Sequence, residues 1–213
     1  VAAAKQNGNI KTLCGIKEGE TEVNFISGGL KAPDAVLLSF DLEFNRALTS
    51  VNLLQNDLGS GAAAIVAAAK QNGNIKTLCG IKEGETRVNF AYNSLYNDRL
   101  QVSDAVLLTF DLGTNRALKR ADLGYNDFGD KGTAALSETL KTNNTLEELK
   151  LIGNKIGVAG ARALAGMLRV NTTLNTLNLS NNEIGGYARD GTEIHTPNGP
   201  RTLFDCLKRN TTL

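Results

Sequence analysis

Tryptophan is absent from these 213 residues, histidine occurs once, proline three times and cysteine three times. Each scarcity narrows what the chain can do. One His leaves few candidates for acid/base chemistry. Cys14, Cys79 and Cys206 are odd in number and widely spaced, so neither a disulfide framework nor a zinc motif can be read from them, and small buried thiols in a reducing compartment are expected. No charge prevails either, since 23 Lys and Arg stand against 22 Asp and Glu. That balance argues against a basic footprint for nucleic acid and against a polybasic membrane anchor. No apolar run approaches the ~20 residues that span a bilayer, and the opening VAAAKQNGNI lacks the basic-then-apolar layout of a signal peptide. The expectation is a soluble, intracellular, cytoplasmic protein with neither nucleic acid nor an inserted membrane segment as partner.

What is abundant is repetition. Val1 to Phe25 returns as Val66 to Phe90, the copies differing only at Glu22 against Arg87. A finer period runs through the whole chain: LTSVNLLQNDLG from Leu48, LKRADLGYNDFG from Leu118, LEELKLIGNKIG from Leu146 and LNTLNLSNNEIG from Leu174 share L-x-x-L-x-L-x-x-N-x-L-G. Looser versions end at Leu30 and Leu95, giving six strand units. Between them lie DAVLLSFDLEFN, GAAAIVAAAKQN, DAVLLTFDLGTN, KGTAALSETLKTN, GARALAGMLRVN and RTLFDCLKRN, where apolar residues recur at three- and four-residue steps, the helical period.

A strand, a turn and a helix per unit of 28 residues resembles the leucine-rich repeat family, in its ribonuclease-inhibitor-like class. That resemblance implies an α/β solenoid with a parallel sheet on its concave face and helices on its convex face. It also implies an asparagine ladder at Asn56, Asn126, Asn154 and Asn182, whose side-chain amides satisfy backbone groups where the chain leaves each strand. The expected organisation is one domain over 1–213, with irregular modules at 10–47 and 75–117. Regular repeats follow at 48–74, 118–145, 146–173 and 174–213, the last with an insertion near 186–200. Val1 falls inside a helix and Leu213 inside a strand pattern, so a fragment of a longer array is expected.

A second series, Asn7, Asn45, Asn72, Asn115, Asn143, Asn171 and Asn210, precedes the next Leu or Ile by three residues. Helix ends in a left-handed conformation are expected there. Asn143, Asn171 and Asn210 also read as glycosylation sequons, a reading their periodic placement makes unnecessary. Asp34 and Asp104 read as helix N-caps rather than catalytic acids, each standing without a partner. GIKEGET at 15–21 and 80–86 lacks phosphate-loop spacing and reads as a polar turn. Asp190, Glu193 and His195 lie in the insertion, a surface loop rather than a metal site.

Function is sought on the outward strand positions. In the third column are Glu22, Ser50, Arg87, Arg120, Glu148 and Thr176, and in the fifth Asn24, Asn52, Asn89, Asp122, Lys150 and Asn178. The seventh adds Ile26, Leu54 and Ile152, an apolar stripe that the core does not require. Mixed charge beside an apolar stripe fits a matched polypeptide, so the expected role is a non-enzymatic interaction or scaffold module with protein partners, large assemblies included, and no cofactor. The alternatives are a regulator of another enzyme, with Arg87 or Arg120 as an exposed transition-state arginine, or the sensing part of a larger receptor. The near-identical copies read as a recent duplication, and their differences, Glu22 against Arg87 and five extra residues after Phe90, are where specificity is expected.

Overall fold

The computed structural model describes residues 2–7, 10–94 and 98–184. The last helical pattern, Asn210, Cys206 and the 186–200 insertion with Asp190, Glu193 and His195 lie outside the described residues. Elements alternate as α1 (Ala2–Gln6), β1 (Glu22–Asn24), α2 (Ala32–Phe44), β2 (Ser50–Asn52), α3 (Gly61–Asn72), β3 (Arg87–Asn89), α4 (Val102–Thr114), β4 (Arg120–Asp122), α5 (Gly129–Leu140), β5 (Glu148–Lys150), α6 (Val158–Leu168) and β6 (Thr176–Asn178). Every strand pairing is parallel, with Glu22 opposite Ser50 and with Arg87, Arg120, Glu148 and Thr176 in one row. The strands stack as one layer and the helices as the other, an α/β solenoid.

Alternation explains the layers. The middle residue of each strand points inward, and Val51, Ala121 and Leu149 are buried. They meet the inner faces of the helices, where Leu38, Ile65, Leu108, Leu136 and Leu164 are equally buried. Helix spacing depends on small residues: a Cβ on Gly61 would come 2.5 Å from the Ala35 Cβ, so glycine lets α3 lie against α2.

The parallel sheet is divided into two, β1–β2 and β3–β6. Residues 76–80 cause the division. They run beside β2 and satisfy its outer edge through Val51 N–H to Thr77 O (3.1 Å), Leu53 N–H to Leu78 O (3.0 Å) and Gly80 N–H to Val51 O (3.1 Å), without continuing as a strand.

Two columns of asparagine line the solenoid. At the strand exits, the Asn56, Asn126, Asn154 and Asn182 amides donate to Leu53 O, Leu123 O, Leu123 O and Leu151 O at 2.8–3.0 Å. The acceptor side is regular at Asn56 and Asn126, which receive Leu30 and Leu100 N–H. At the helix ends, Asn45, Asn115, Asn143 and Asn171 accept from the backbone two and three residues on, as at Leu146 N–H (2.8 Å) and Leu174 N–H (2.8 Å). Asn72, Asn143 and Asn171 donate back to Leu42 O, Leu112 O and Leu140 O in the preceding units.

These bonds correct the left-handed reading of the helix-end series. Asn45 and Asn115 are extended, with φ of −71° and −70°, and the left-handed residue after α3 is Gly73. Positive φ recurs instead at the strand exits, at Ser27, Gln55, Tyr125, Gly153 and Asn181. Burial at 6% and 4% leaves Asn143 and Asn171 inaccessible to a glycan. A second correction concerns Asp34 and Asp104. Helices α2 and α4 begin at Ala32 and Val102, which puts these carboxylates in the first turn, where they accept Lys31 and Gln101 N–H at 2.8 and 2.7 Å.

Candidate interaction surface

Three-residue strands expose their first and third side chains. Glu22, Arg87, Asn89, Arg120 and Thr176 are exposed, while Ser50, Asn52, Asp122, Glu148, Lys150 and Asn178 are half-buried. An open depression over the larger sheet is lined by Arg87, Asn89, Arg120, Asp122, Glu148 and Lys150. A second, over the smaller sheet, is walled by residues 76–83 opposite Glu22, Asn24 and Asn52.

Over β4 and β5 the charges compensate one another. Arg120 Nε lies 3.4 Å from Glu148, and Lys150 Nζ lies 3.2 Å from Asp122 and 3.8 Å from Glu148. Each pair is partly exposed and contributes only ~0–1 kcal/mol, so the network orders the face more than it stabilises the fold. Arg87, one strand away, has no acidic partner among the described residues.

The fifth column has a structural duty that spacing alone did not reveal. Asn24, Asn52, Asn89, Asp122 and Asn178 each accept the N–H two residues on, at 3.1–3.3 Å, closing a turn as the strand ends. Lysine has no acceptor, so Lys150 turns to its carboxylate neighbours instead.

The apolar stripe does not form. Ile26 is 42% exposed and Ile152 is half-buried, but Leu54 is 3% exposed and belongs to the core. The neighbouring Gln55 donates its N–H to Asp104 (2.8 Å) and its side-chain amide to Asp98 O (3.0 Å). The downstream module is thus fastened to the end of β2 at the residue next to the buried Leu54.

Two features escaped the sequence reading. At the rim of the larger sheet, Arg99 stacks over the Tyr92 ring at 4.1 Å and donates to Tyr125 O, and the 40%-exposed Tyr125 meets Asn181 through its hydroxyl (3.4 Å). The five extra residues after Phe90 were the available signal. On the helix side, the buried Asp111 accepts Thr77 Oγ1–H (2.5 Å), Leu78 N–H (2.7 Å) and Cys79 N–H (3.3 Å). Burial pushes its carboxyl up to about 7 against these hydrogen bonds, and burial likewise raises Asp104 to about 6. In the first copy, Asp41 accepts Thr12 Oγ1–H, Leu13 N–H (2.6 Å) and Cys14 N–H (2.9 Å).

Among the described residues, no group of three His, Cys, Asp or Glu side chains is placed to hold a metal, and no helix is long and apolar enough to cross a membrane. Cys79 is buried, but Cys14 is exposed, which corrects the expectation of buried thiols at both positions.

Residues 114–137, 142–165 and 170–186 match the family described as Leucine Rich repeat. No curated protein sequence matches the chain. Among solved structures, the chain is similar to Leiomodin-1 Actin-Binding Site 2 at 20% identity and a TM-score of 0.40, over 89% of this chain and 80% of that one. It is also similar to the Caenorhabditis elegans tropomodulin C-terminal domain at 12% identity and a TM-score of 0.40, over 91% and 86% of the two chains.

Proposed function

We propose that the chain, whose residues 114–137, 142–165 and 170–186 match the Leucine Rich repeat family, is a non-enzymatic interaction module of the ribonuclease-inhibitor-like class, binding a polypeptide partner across the strand face of β3–β6. One observation carries this reading: among the described residues, Arg87 is exposed and without an acidic partner beside the paired charges of Arg120, Glu148, Lys150 and Asp122. A partner that supplies a carboxylate to Arg87 and matches the alternating charges beyond it would be selected by sign and spacing. The Tyr92–Arg99–Tyr125 rim adds the side-chain types that dominate binding energies at protein interfaces. The free thiols of Cys14 and Cys79 accord with an intracellular setting.

Affinity capture with the chain tests the proposal. Arg87→Glu, an exposed strand-face substitution, should lose the captured partner while leaving the unfolding midpoint in place. Capture unchanged by Arg87→Glu and by Tyr92→Ala would overturn it. The regulator reading is favoured at one point only: of the two candidate arginines, Arg87 is free to reach a partner's active site, whereas Arg120 is held by Glu148. Acceleration of a captured enzyme that Arg87→Ala abolishes and Arg120→Ala spares would select it.

A further inference from the structure

Resting on the polypeptide-binding reading above, we infer that the upstream edge of β3 is a docking site for an extended acidic segment of a partner protein, which joins the larger sheet as a further parallel strand with a carboxylate opposite Arg87. Strand β3 bonds to β4 through alternate main-chain groups, among them Thr86 O, which accepts Arg120 N–H (3.1 Å), and Phe90 N–H, which donates to Asp122 O (2.8 Å). In a parallel pair the groups between these face the other way, so the N–H and C=O of Arg87 and Asn89 point upstream. Among the described residues, nothing donates to or accepts from these four groups. Residues 76–80, which precede β3 in the chain, direct their bonds to β2 and to Asp111 instead. Burial has the same direction. Val88 and Phe90, the inward residues of β3, are half-buried, whereas their counterparts Ala121 and Leu123, and then Leu149 and Leu151, are buried.

Charge selects the occupant. Arg87 stands directly opposite Arg120 in the sheet register, a like-charged pair, and the described residues offer it no carboxylate. One strand on, Arg120 is met by Glu148 from its downstream neighbour, at 3.4 Å from Nε. An acidic residue in the same register upstream would meet Arg87 likewise. A cation on a free edge also deters apolar strands, which leaves an acidic segment as the favoured addition. The chain itself contains a strand of that kind. Upstream of β2, β1 accepts Ser50 N–H at Thr21 O (3.1 Å) and donates Phe25 N–H to Asn52 O (2.8 Å), and it sets Glu22 opposite Ser50, the position that Arg87 holds in β3.

The probe is therefore the synthetic peptide ETEVNFI, copied from residues 20–26 and titrated against the full chain by fluorescence anisotropy. It should bind, and Arg87→Glu in the chain, an exposed position, should weaken it roughly tenfold without moving the unfolding midpoint. N-methylation of the peptide at its Phe25 amide removes the donor to Asn89 O and should weaken binding about tenfold, whereas methylation at Asn24, whose N–H points away, should change it less than about twofold. Absence of binding, or binding that Arg87→Glu leaves intact, overturns the inference. Binding that Arg87→Glu weakens but that is indifferent to which amide is methylated overturns it too, yet leaves the strand-face reading standing, because a ligand lying across the face makes no main-chain ladder. Sedimentation of the chain as a dimer that ETEVNFI dissociates also overturns it, since the occupant is then a second copy.

Discussion

Thr12, Leu13 and Cys14 recur as Thr77, Leu78 and Cys79, and in each copy one helix carboxylate gathers the three residues. Around Asp111 the gathered residues are all buried, whereas around Asp41 Cys14 is exposed and Thr12 and Leu13 are half-buried. The same residues therefore make the same bonds in two dielectric settings. Local sequence fixes the clamp, and stacking fixes what the clamp is worth.

Asp111→Ala and Asp41→Ala break this comparison most directly. Removing Asp111 leaves a hydroxyl and two amides buried without a partner and should destabilise by ~3–5 kcal/mol, whereas water can reach the donors of Asp41 and the loss should be nearer ~1–2 kcal/mol. Urea unfolding measures both, and equal losses would show that the setting is irrelevant. Leu107→Ala and Leu37→Ala form the next pair: a fully buried leucine should cost ~2–4 kcal/mol and its exposed equivalent under ~1 kcal/mol by the same assay.

How far the sequence could carry this is visible in the residues themselves. Strand triplets and the exit asparagines announce themselves because alternation and a 28-residue spacing are local. Asp41 and Asp111 did not, because an aspartate on an apolar helix stripe has meaning only once Thr12 and Thr77 arrive from another unit. Leu54 misled for a similar reason. The residues that bond beside it, Asp98 and Asp104, are linked to β2 by no periodicity. The fifth-column asparagines were legible as outward-facing but not as turn acceptors, a role set by the backbone at the strand ends.

Two finer tests sharpen the contrast. The folded-state carboxyls of Asp111, at about 7, and Asp104, at about 6, lie above the ordinary aspartate value of 3.8. The folded state thus binds protons the unfolded chain has released, and the stability present below pH 4 declines as pH rises toward 7. The melting temperature should fall between pH 4 and pH 7, and Asp111→Asn should flatten that decline. The smallest effect is chemical. In a Cys206→Ser background, Cys14 should alkylate in the native state, faster above pH 9 because partial burial and the carboxylates Asp41 and Asp34 push its thiol up to about 11. Cys79 should react only on unfolding.

The divided sheet also has a mechanical consequence. Between β2 and β3 no run of strand pairing ties one part of the solenoid to the next, so cohesion across that seam rests on the α3–α4 contact and on a few side-chain fastenings, Asp111 with residues 77–79, Asp104 with Gln55, and Ser103 with Asn56. Under tension along the array this seam should be the first to part, which single-molecule pulling would show as an early step. It would part before the four-stranded segment frays, and the force at which it parts would track the protonation of two carboxylates.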